Sequence, residues 1–271
     1  MKKVRTTIDI KGFEKYLREE ELADNTIEVY MRGISQYAEL YKDITKENLI
    51  EFKQRMIEKY SPKTVNLRIT AVLRYCDYKE IHMKLKAVKE PKQMFIENVI
   101  TVQQYNKLME NLKNDNIRWY YNILLIAKTG MRISEAMKIR KKDIISGRVD
   151  IYTKAHMRTV FFPKTLRDEM SEYLKDFQDD EIIFVSRFKK PLTSRGFDAI
   201  LKMCASKYNI PKGTMHAHTF RHFFAIEFLK RNNNISLLAD LLGHNDLKVT
   251  QIYLRQSQEQ QRQAIDEAVD W

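Results

Sequence analysis

The sequence predicts a mainly α protein: an all-helical first domain, then an α+β second domain of mostly helices with a small antiparallel β-sheet. Three observations carry this. Apolar residues recur at i, i+3 and i+4 along most of the 271 residues. The period drops to two over residues 148–163 alone. A lysine-rich stretch without apolar periodicity interrupts the helices after residue 81.

Taken in order, Asp9 to Glu20 spaces Ile10, Phe13, Tyr16 and Leu17 for a first helix. Asn25 or Thr26 is placed to cap a second, with Ile27, Tyr30, Met31, Ile34, Tyr37 and Tyr41 on one face. Thr45 caps a third that turns Leu49, Phe52, Met56 and Ile57 inward. Ser61-Pro62 is an N-cap and first-turn pair for a fourth, striped by Val65, Ile69, Val72, Leu73 and Cys76. The segment from His82 to Gln93 reads as an exposed basic linker, which puts a domain boundary there. Thr101 with Gln104 is a capping box that opens the second domain. A hydrophobic helix then runs through residue 128 and stops at Gly130. Val149, Ile151 and Thr153 alternate with polar neighbours, and Thr159 to Phe162 leads to Pro163, which makes a β-hairpin. Helices resume near residues 165, 194, 218, 235 and 247.

Composition narrows the function. Apolar content of 44% against 31% charged suits a folded protein and excludes a disordered one. No run approaches the ~18 apolar residues of a membrane span. The start, MKKVRTTIDI, has charge without an apolar stretch behind it, so no signal peptide is expected. Cys76 and Cys204 lie far apart and read as buried thiols of a cytoplasmic protein. The formal net charge of +12 favours a polyanionic partner. The excess is concentrated in residues 51–150 and 201–250, while the last 21 residues lean acidic.

The candidate chemistry lies in three short segments. In His218-Thr219-Phe220-Arg221-His222-Phe223-Phe224, a helix puts Phe220, Phe223, Phe224 and Phe228 on one stripe. His218, Arg221 and His222 share another face, a set suited to an anion or to plain solvent exposure. His216, His218 and His222 also resemble metal-ligand spacing, but Arg221 between them and the lack of a carboxylate or thiolate disfavour a metal. Further on, Gly243 ends a helix, His244 falls in the turn after it, and Tyr253 follows nine residues later on a new helix begun at Asn245 or Asp246. Upstream, Thr129-Gly130-Met131-Arg132-Ile133-Ser134-Glu135 places Arg132 in a turn between helices, with Ser134 as its cap.

Together, in this order and spacing, these segments resemble the tyrosine recombinases, also called the phage integrase family, over residues 8 to 260. The likeness is to simple two-domain, Xer-like members without an arm-binding domain. It implies a helical core-binding domain at residues 1–83, a linker at 84–99 and a catalytic domain with a helical tail at 100–271. It further implies a site-specific recombinase that cuts and rejoins DNA through a 3′-phosphotyrosine, in a bacterial, archaeal or mobile-element setting. Arg132 and Arg221 would grip the scissile phosphate, His218 and His244 would bond it or assist proton transfer, and Tyr253 would be the nucleophile. The family's hairpin lysine matches Lys154, four residues before Arg158, although the usual glycine-rich turn reads Thr153-Lys154-Ala155-His156-Met157-Arg158 here. No cofactor is implied. The partners implied are double-stranded DNA and further copies of the chain, four on DNA, engaged through the tail with Ala264, Ile265, Ala268, Val269 and Trp271. Lys59, Lys63, Arg68, Arg74, Lys84 and Lys86 are the expected DNA contacts outside the catalytic set.

The residue types suit that reaction. Guanidinium forks match phosphate oxygens in pairs, and a preorganised donor on developing charge is worth about 3–4 kcal/mol. A phenol with an ordinary pKa near ~10 needs a base or a positive field to become a nucleophile. A lysine is well typed to protonate the leaving 5′ oxygen. Three other readings remain: a monomeric type IB topoisomerase-like enzyme, a DNA-binding protein of the same fold without catalysis, and a metal-dependent nuclease.

Overall fold

The computed structural model describes residues 8–91, 98–152, 157–244, 246–254 and 265–269. The protein is mainly α with one small antiparallel hairpin, and it divides into two compact units, Met1–Lys92 and Gln93–Trp271.

The first unit is four helices: α1 (Ile10–Glu19), α2 (Asp24–Leu40), α3 (Lys46–Lys59) and α4 (Pro62–Tyr78). Thr45 caps α3 by accepting from the Asn48 amide, and Pro62 occupies the first turn of α4 where its missing N–H costs nothing. α2 starts one residue earlier than the expected caps, at Asp24, and its N-cap is Ala23 without a side-chain bond. Phe13, Leu17, Ile34, Tyr37, Leu49, Phe52, Val65 and Val72 fill the core. α2 and α4 cross at Gly33, where a Cβ would stand 2.5 Å from that of Ala71. Any larger residue there would force the two helices apart.

The stretch read as an exposed linker from residue 84 is tied to this unit through Glu90. Met83, Leu85 and Val88 pack on the helical core. Asn66 brackets Val88, donating to its carbonyl at 3.0 Å and accepting from its amide at 2.8 Å. Lys53 donates to the carbonyl of Lys86 at 2.6 Å, and Lys46 to that of Lys84. A polar strap replaces the apolar periodicity that helix-reading looks for. The expected DNA contacts separate accordingly. Lys59, Lys63, Lys84 and Lys86 are exposed. Arg74 is half-buried and lies near Glu20 and Asp77. Arg68 is a correction: it is buried, with Nη1 3.5 Å from the Val29 carbonyl, and its guanidinium braces α4 against α2 instead of facing outward.

The second unit opens with α5 (Val102–Asp115), whose capping box pairs Thr101 with Gln104 in both directions. α6 (Ile117–Thr129) is buried on nearly every side and forms the axis of the unit. There follow α7 (Ile133–Ala136), α8 (Lys141–Ser146), β1 (Arg148–Tyr152), β2 (Met157–Phe161), α9 (Lys164–Leu174) and α10 (Ser194–Lys207). β1 and β2 are antiparallel, with Arg148 opposite Phe161 and Tyr152 opposite Met157. The chain ends with α11 (Ala217–Arg231), α12 (Ile235–Leu242), α13 (Leu247–Gln251) and a 3-10 turn at Ile252–Leu254. In the tail, residues 265–268 make one helical turn with Ile265 and Val269 exposed, while Ala264 and Trp271 lie outside the described residues. Among the described residues, no helix is long and apolar enough to cross a membrane.

Candidate active site

Two left-handed glycines deliver the site's loop residues. Gly130 ends α6 at φ 63°, its amide bonded to the Ile126 carbonyl, and Arg132 emerges two residues on as the N-cap of α7. Gly243 ends α12 at φ 64°. Its amide bonds the Asp240 carbonyl while that of His244 bonds the Ala239 carbonyl, a Schellman pair that fixes the position of His244. Neither glycine tolerates a side chain. A Cβ at Gly130 would lie 2.4 Å from the Phe224 ring, and one at Gly243 would lie 2.3 Å from Cδ of Arg158.

Around these ends three arginines converge. Arg221, on α11, is buried and donates to the carbonyls of Gly130 at 2.8 Å and Leu242 at 2.6 Å. Arg158, on β2, is also buried and donates to the Leu241 carbonyl. Arg132 reaches the Gly243 carbonyl at 3.4 Å. The acceptors at Leu241, Leu242 and Gly243 form the C-terminus of α12, whose last carbonyls have no helical partner and whose dipole end is negative. That helix end and one carboxylate hold together cations that would otherwise repel. The carboxylate is Glu135, which accepts from the Arg132 amide at 2.7 Å, from Arg132 Nη1 at 3.0 Å and from Arg158 Nη2. Burial alone would raise the Glu135 pKa, but its bonds to Arg132 and Arg158 outweigh this and hold the carboxyl below the usual range. Burial, then Arg132 and Arg158, push Arg221 down to about 10, so it stays charged at neutral pH.

The histidines and the tyrosine close the cluster. Arg221 Nη2 lies 3.0 Å from Nε2 of His244. Because a guanidinium only donates, Nε2 accepts and the ring proton sits on Nδ1, which donates to Thr250 Oγ1 at 2.8 Å. Burial, then Arg221 and Arg132, push His244 down to about 4, which keeps it neutral. His218 stays accessible from solvent, yet protein crowding its ring, then Arg221, His216 and Arg132, hold its imidazole below the ordinary histidine range. Tyr253 stands in the 3-10 turn that follows α13, one step beyond the helix expected to carry it. Its ring packs against the small core of Ala225, Leu229, Leu238 and Leu242 and lies parallel to that of His244, with centroids 6.5 Å apart. Its hydroxyl is 2.9 Å from Nδ1 of His222. Burial raises the phenol's pKa above the ordinary value, outweighing the downward pull of Arg221 and Arg132. A cavity of about 1150 Å³ opens beside the cluster, lined by Arg132, Tyr152, Arg158, Leu241 and His244 among others.

Of the sequence-predicted catalytic residues, the structure gathers Arg132, Arg221, His244 and Tyr253, with His218 one helical turn before His222. Lys154 lies outside the described residues. Ser134 is not the cap of α7; it sits inside that helix, and Arg132 with Glu135 forms the box. Four residues of the site were given no place in the catalytic set by sequence reasoning. Glu135 stood within the Thr129–Glu135 motif, three residues after Arg132, which is the capping-box interval. Arg158 sat on the hairpin at an inward-facing position. His222 was grouped with an anionic ligand and not with Tyr253. Thr250 showed no signal.

Comparison with known proteins gives a consistent picture. The profile of the Phage integrase family matches residues 98–260. The chain is 28% identical over 269 residues to the tyrosine recombinase XerA of Pyrococcus furiosus, covering 96% of this chain and 93% of that one. It is 26% identical to the tyrosine recombinase XerD of Staphylococcus haemolyticus, covering 94% and 97% respectively. Among solved structures, the Tn1549 transposon integrase in complex with transposon right end DNA aligns with a TM-score of 0.73 at 16% identity, over 98% of this chain and all of that one. A lambda integrase tetramer bound to a Holliday junction aligns with a TM-score of 0.73 at 15% identity, over 92% of this chain and 78% of that one. At these identities the structures speak for the fold.

Proposed function

The chain belongs to the phage integrase family, and from that premise we propose that it is a site-specific recombinase that cuts and rejoins DNA through a covalent bond to Tyr253. The observation that carries this reading is the placement of the Tyr253 hydroxyl in the cluster that holds Arg221, Arg132 and His244. A nucleophile and two phosphate-binding forks share one partly buried site. There, donors aimed at developing charge act far more strongly than at a surface.

The steps follow from the residues. A phosphodiester entering the cluster meets Arg132 and Arg221, whose guanidiniums neutralise the five-coordinate phosphorus. His218 would supply a further bond to the phosphate oxygens, while His244 holds the Arg221 guanidinium in place. The Tyr253 oxygen bonds to phosphorus, the bond to the 5′ oxygen breaks, and Lys154 is our candidate to protonate that oxygen. Because the phosphotyrosine conserves the energy of the broken bond, rejoining runs without nucleotide hydrolysis. Lys59, Lys63, Lys84 and Lys86 would bind backbone phosphates, an interaction that weakens with salt. The apolar residues of the tail, Ile265 and Val269 among them, suit docking on a neighbouring copy in a tetramer on DNA. The setting we propose is the cytoplasm of a bacterium or archaeon.

A pool of nicked suicide duplexes of randomised sequence tests the proposal. With the full chain in EDTA, denaturing gels should show protein–DNA adducts for the wild type and none for Tyr253→Phe. Wild-type protein that binds the pool and forms no adduct would point to a binding protein without catalysis. Cleavage that requires added metal and survives Tyr253→Phe would overturn the reading.

A further inference from the structure

The reaction needs a base for the phenol of Tyr253, and the histidines of the site are not equivalent for that task. His244 has both ring nitrogens engaged: Nε2 accepts from Arg221 and Nδ1–H donates to Thr250. It faces the tyrosine ring to ring, not nitrogen to hydroxyl. His218 stands at the accessible edge, its ring set nearly perpendicular to that of His222. Among the described residues, the imidazole bonded to the phenol is His222, with Nδ1 2.9 Å from the Tyr253 oxygen. That distance is already within the range for direct proton transfer.

We propose that His222 is the general base of the cleavage step, resting on the recombinase reading above. A neutral His222 protonated at Nε2 presents its Nδ1 lone pair to the phenol. As the Tyr253 oxygen bonds to phosphorus, its proton passes to Nδ1. The bond from phosphorus to the 5′ oxygen breaks, and that oxygen takes a proton from the general acid, for which Lys154 is our candidate. In rejoining, the imidazolium returns its proton to the departing tyrosine oxygen.

The surroundings couple this base to the substrate. Burial comes first in pushing His222 down to about 4, followed by its helix neighbour His218, then His216, Arg221 and His244. The imidazole is thus neutral before DNA arrives. A phosphodiester brings a negative charge against Arg221, which offsets the part of the depression owed to that cation and makes Nδ1 more basic when the phosphorus is in place. α11 carries Arg221 and His222 on consecutive residues, so the phosphate grip and the base move as one body.

Suicide duplexes recovered with the wild type supply the substrate, and single-turnover cleavage is followed from pH 6 to 9. The wild-type rate should level off once Nδ1 is unprotonated. His222→Asn keeps a polar group at the position of Nδ1 but cannot act as the base. It should bind the duplex normally and cleave about 100-fold more slowly at pH 7. Its rate should climb about tenfold per pH unit, because hydroxide must then take the proton. His222→Ala should lose rate similarly and regain part of it with added imidazole. Rates for His222→Asn near wild type at every pH would overturn the proposal. So would a loss that is uniform across pH and unrelieved by imidazole in the Ala variant, since that marks a packing role. If the wild type forms no adduct at all, it is the recombinase reading that fails.

Discussion

Removing the Glu135 carboxylate tests what holds the arginine cluster together. Among the described residues, Glu135→Ala leaves the Arg158 guanidinium, whose side chain is 8% exposed, with no anion and only the Leu241 carbonyl as acceptor. Breaking a buried ion pair from one side costs about 3–5 kcal/mol, because the remaining charge is left in a poorly polarisable site. The link from Glu135 to Arg132, whose side chain is 37% exposed, adds at most about 1 kcal/mol. At about 2–4 °C per kcal/mol for a unit of this size, the melting temperature should drop by about 6–24 °C. Replacing both partners, Glu135→Leu with Arg158→Met, removes the stranded charge and should recover most of that loss. Thermal melts of the full chain by circular dichroism make the comparison. A single variant within about 2 °C of wild type, or a double variant no better than the single, would refute the argument that the buried guanidinium is what Glu135 stabilises.

Other consequences follow from neighbouring contacts. Gly243→Ala meets both a left-handed φ of 64° and the Arg158 Cδ at 2.3 Å. It should lower both the melting temperature and cleavage, as a melt and a single-turnover assay on one preparation would show. Thr250→Val removes the acceptor that holds Nδ1–H of His244. The Arg221–His244 bond then loses its orientation, and cleavage should fall about tenfold with little change in gel-shift affinity. The pKa values of His222 and His244 are depressed to about 4 in the folded state, against an ordinary value of 6.5. The unfolded chain therefore binds more protons between those values, so stability is fully present above pH 6.5 and falls as pH drops towards 4. Denaturant midpoints at pH 7.5, 6 and 5 should decrease in that order, and His222→Gln should flatten the trend.

Much of this was legible in the sequence, for reasons that differ between residues. Arg132 and His244 could be placed because a glycine before each one ends a helix, a local signal that needs no tertiary knowledge. The capping box at Thr101 and the hairpin period near Val149 are local in the same sense. Glu135 was in view but unassigned, because its second partner, Arg158, lies 23 residues away on a strand. The link from His222 to Tyr253 spans 31 residues and depends on how the 3-10 turn brings the tyrosine back over α11. Spacing puts His222 and Arg221 on one helix but does not say what each one meets. Arg68 failed for the complementary reason. A cation on a striped helix reads as exposed, and only the close approach of α2 at Gly33 turns it inward.

In the proposed reaction one residue among 14 tyrosines, Tyr253, carries the broken strand. The most direct test is mass spectrometry of the trapped adduct after nuclease and protease digestion. A single modified peptide bearing a 3′-linked nucleotide on Tyr253 is the expected result. A nucleotide on any other side chain would contradict it, even if the adduct forms efficiently.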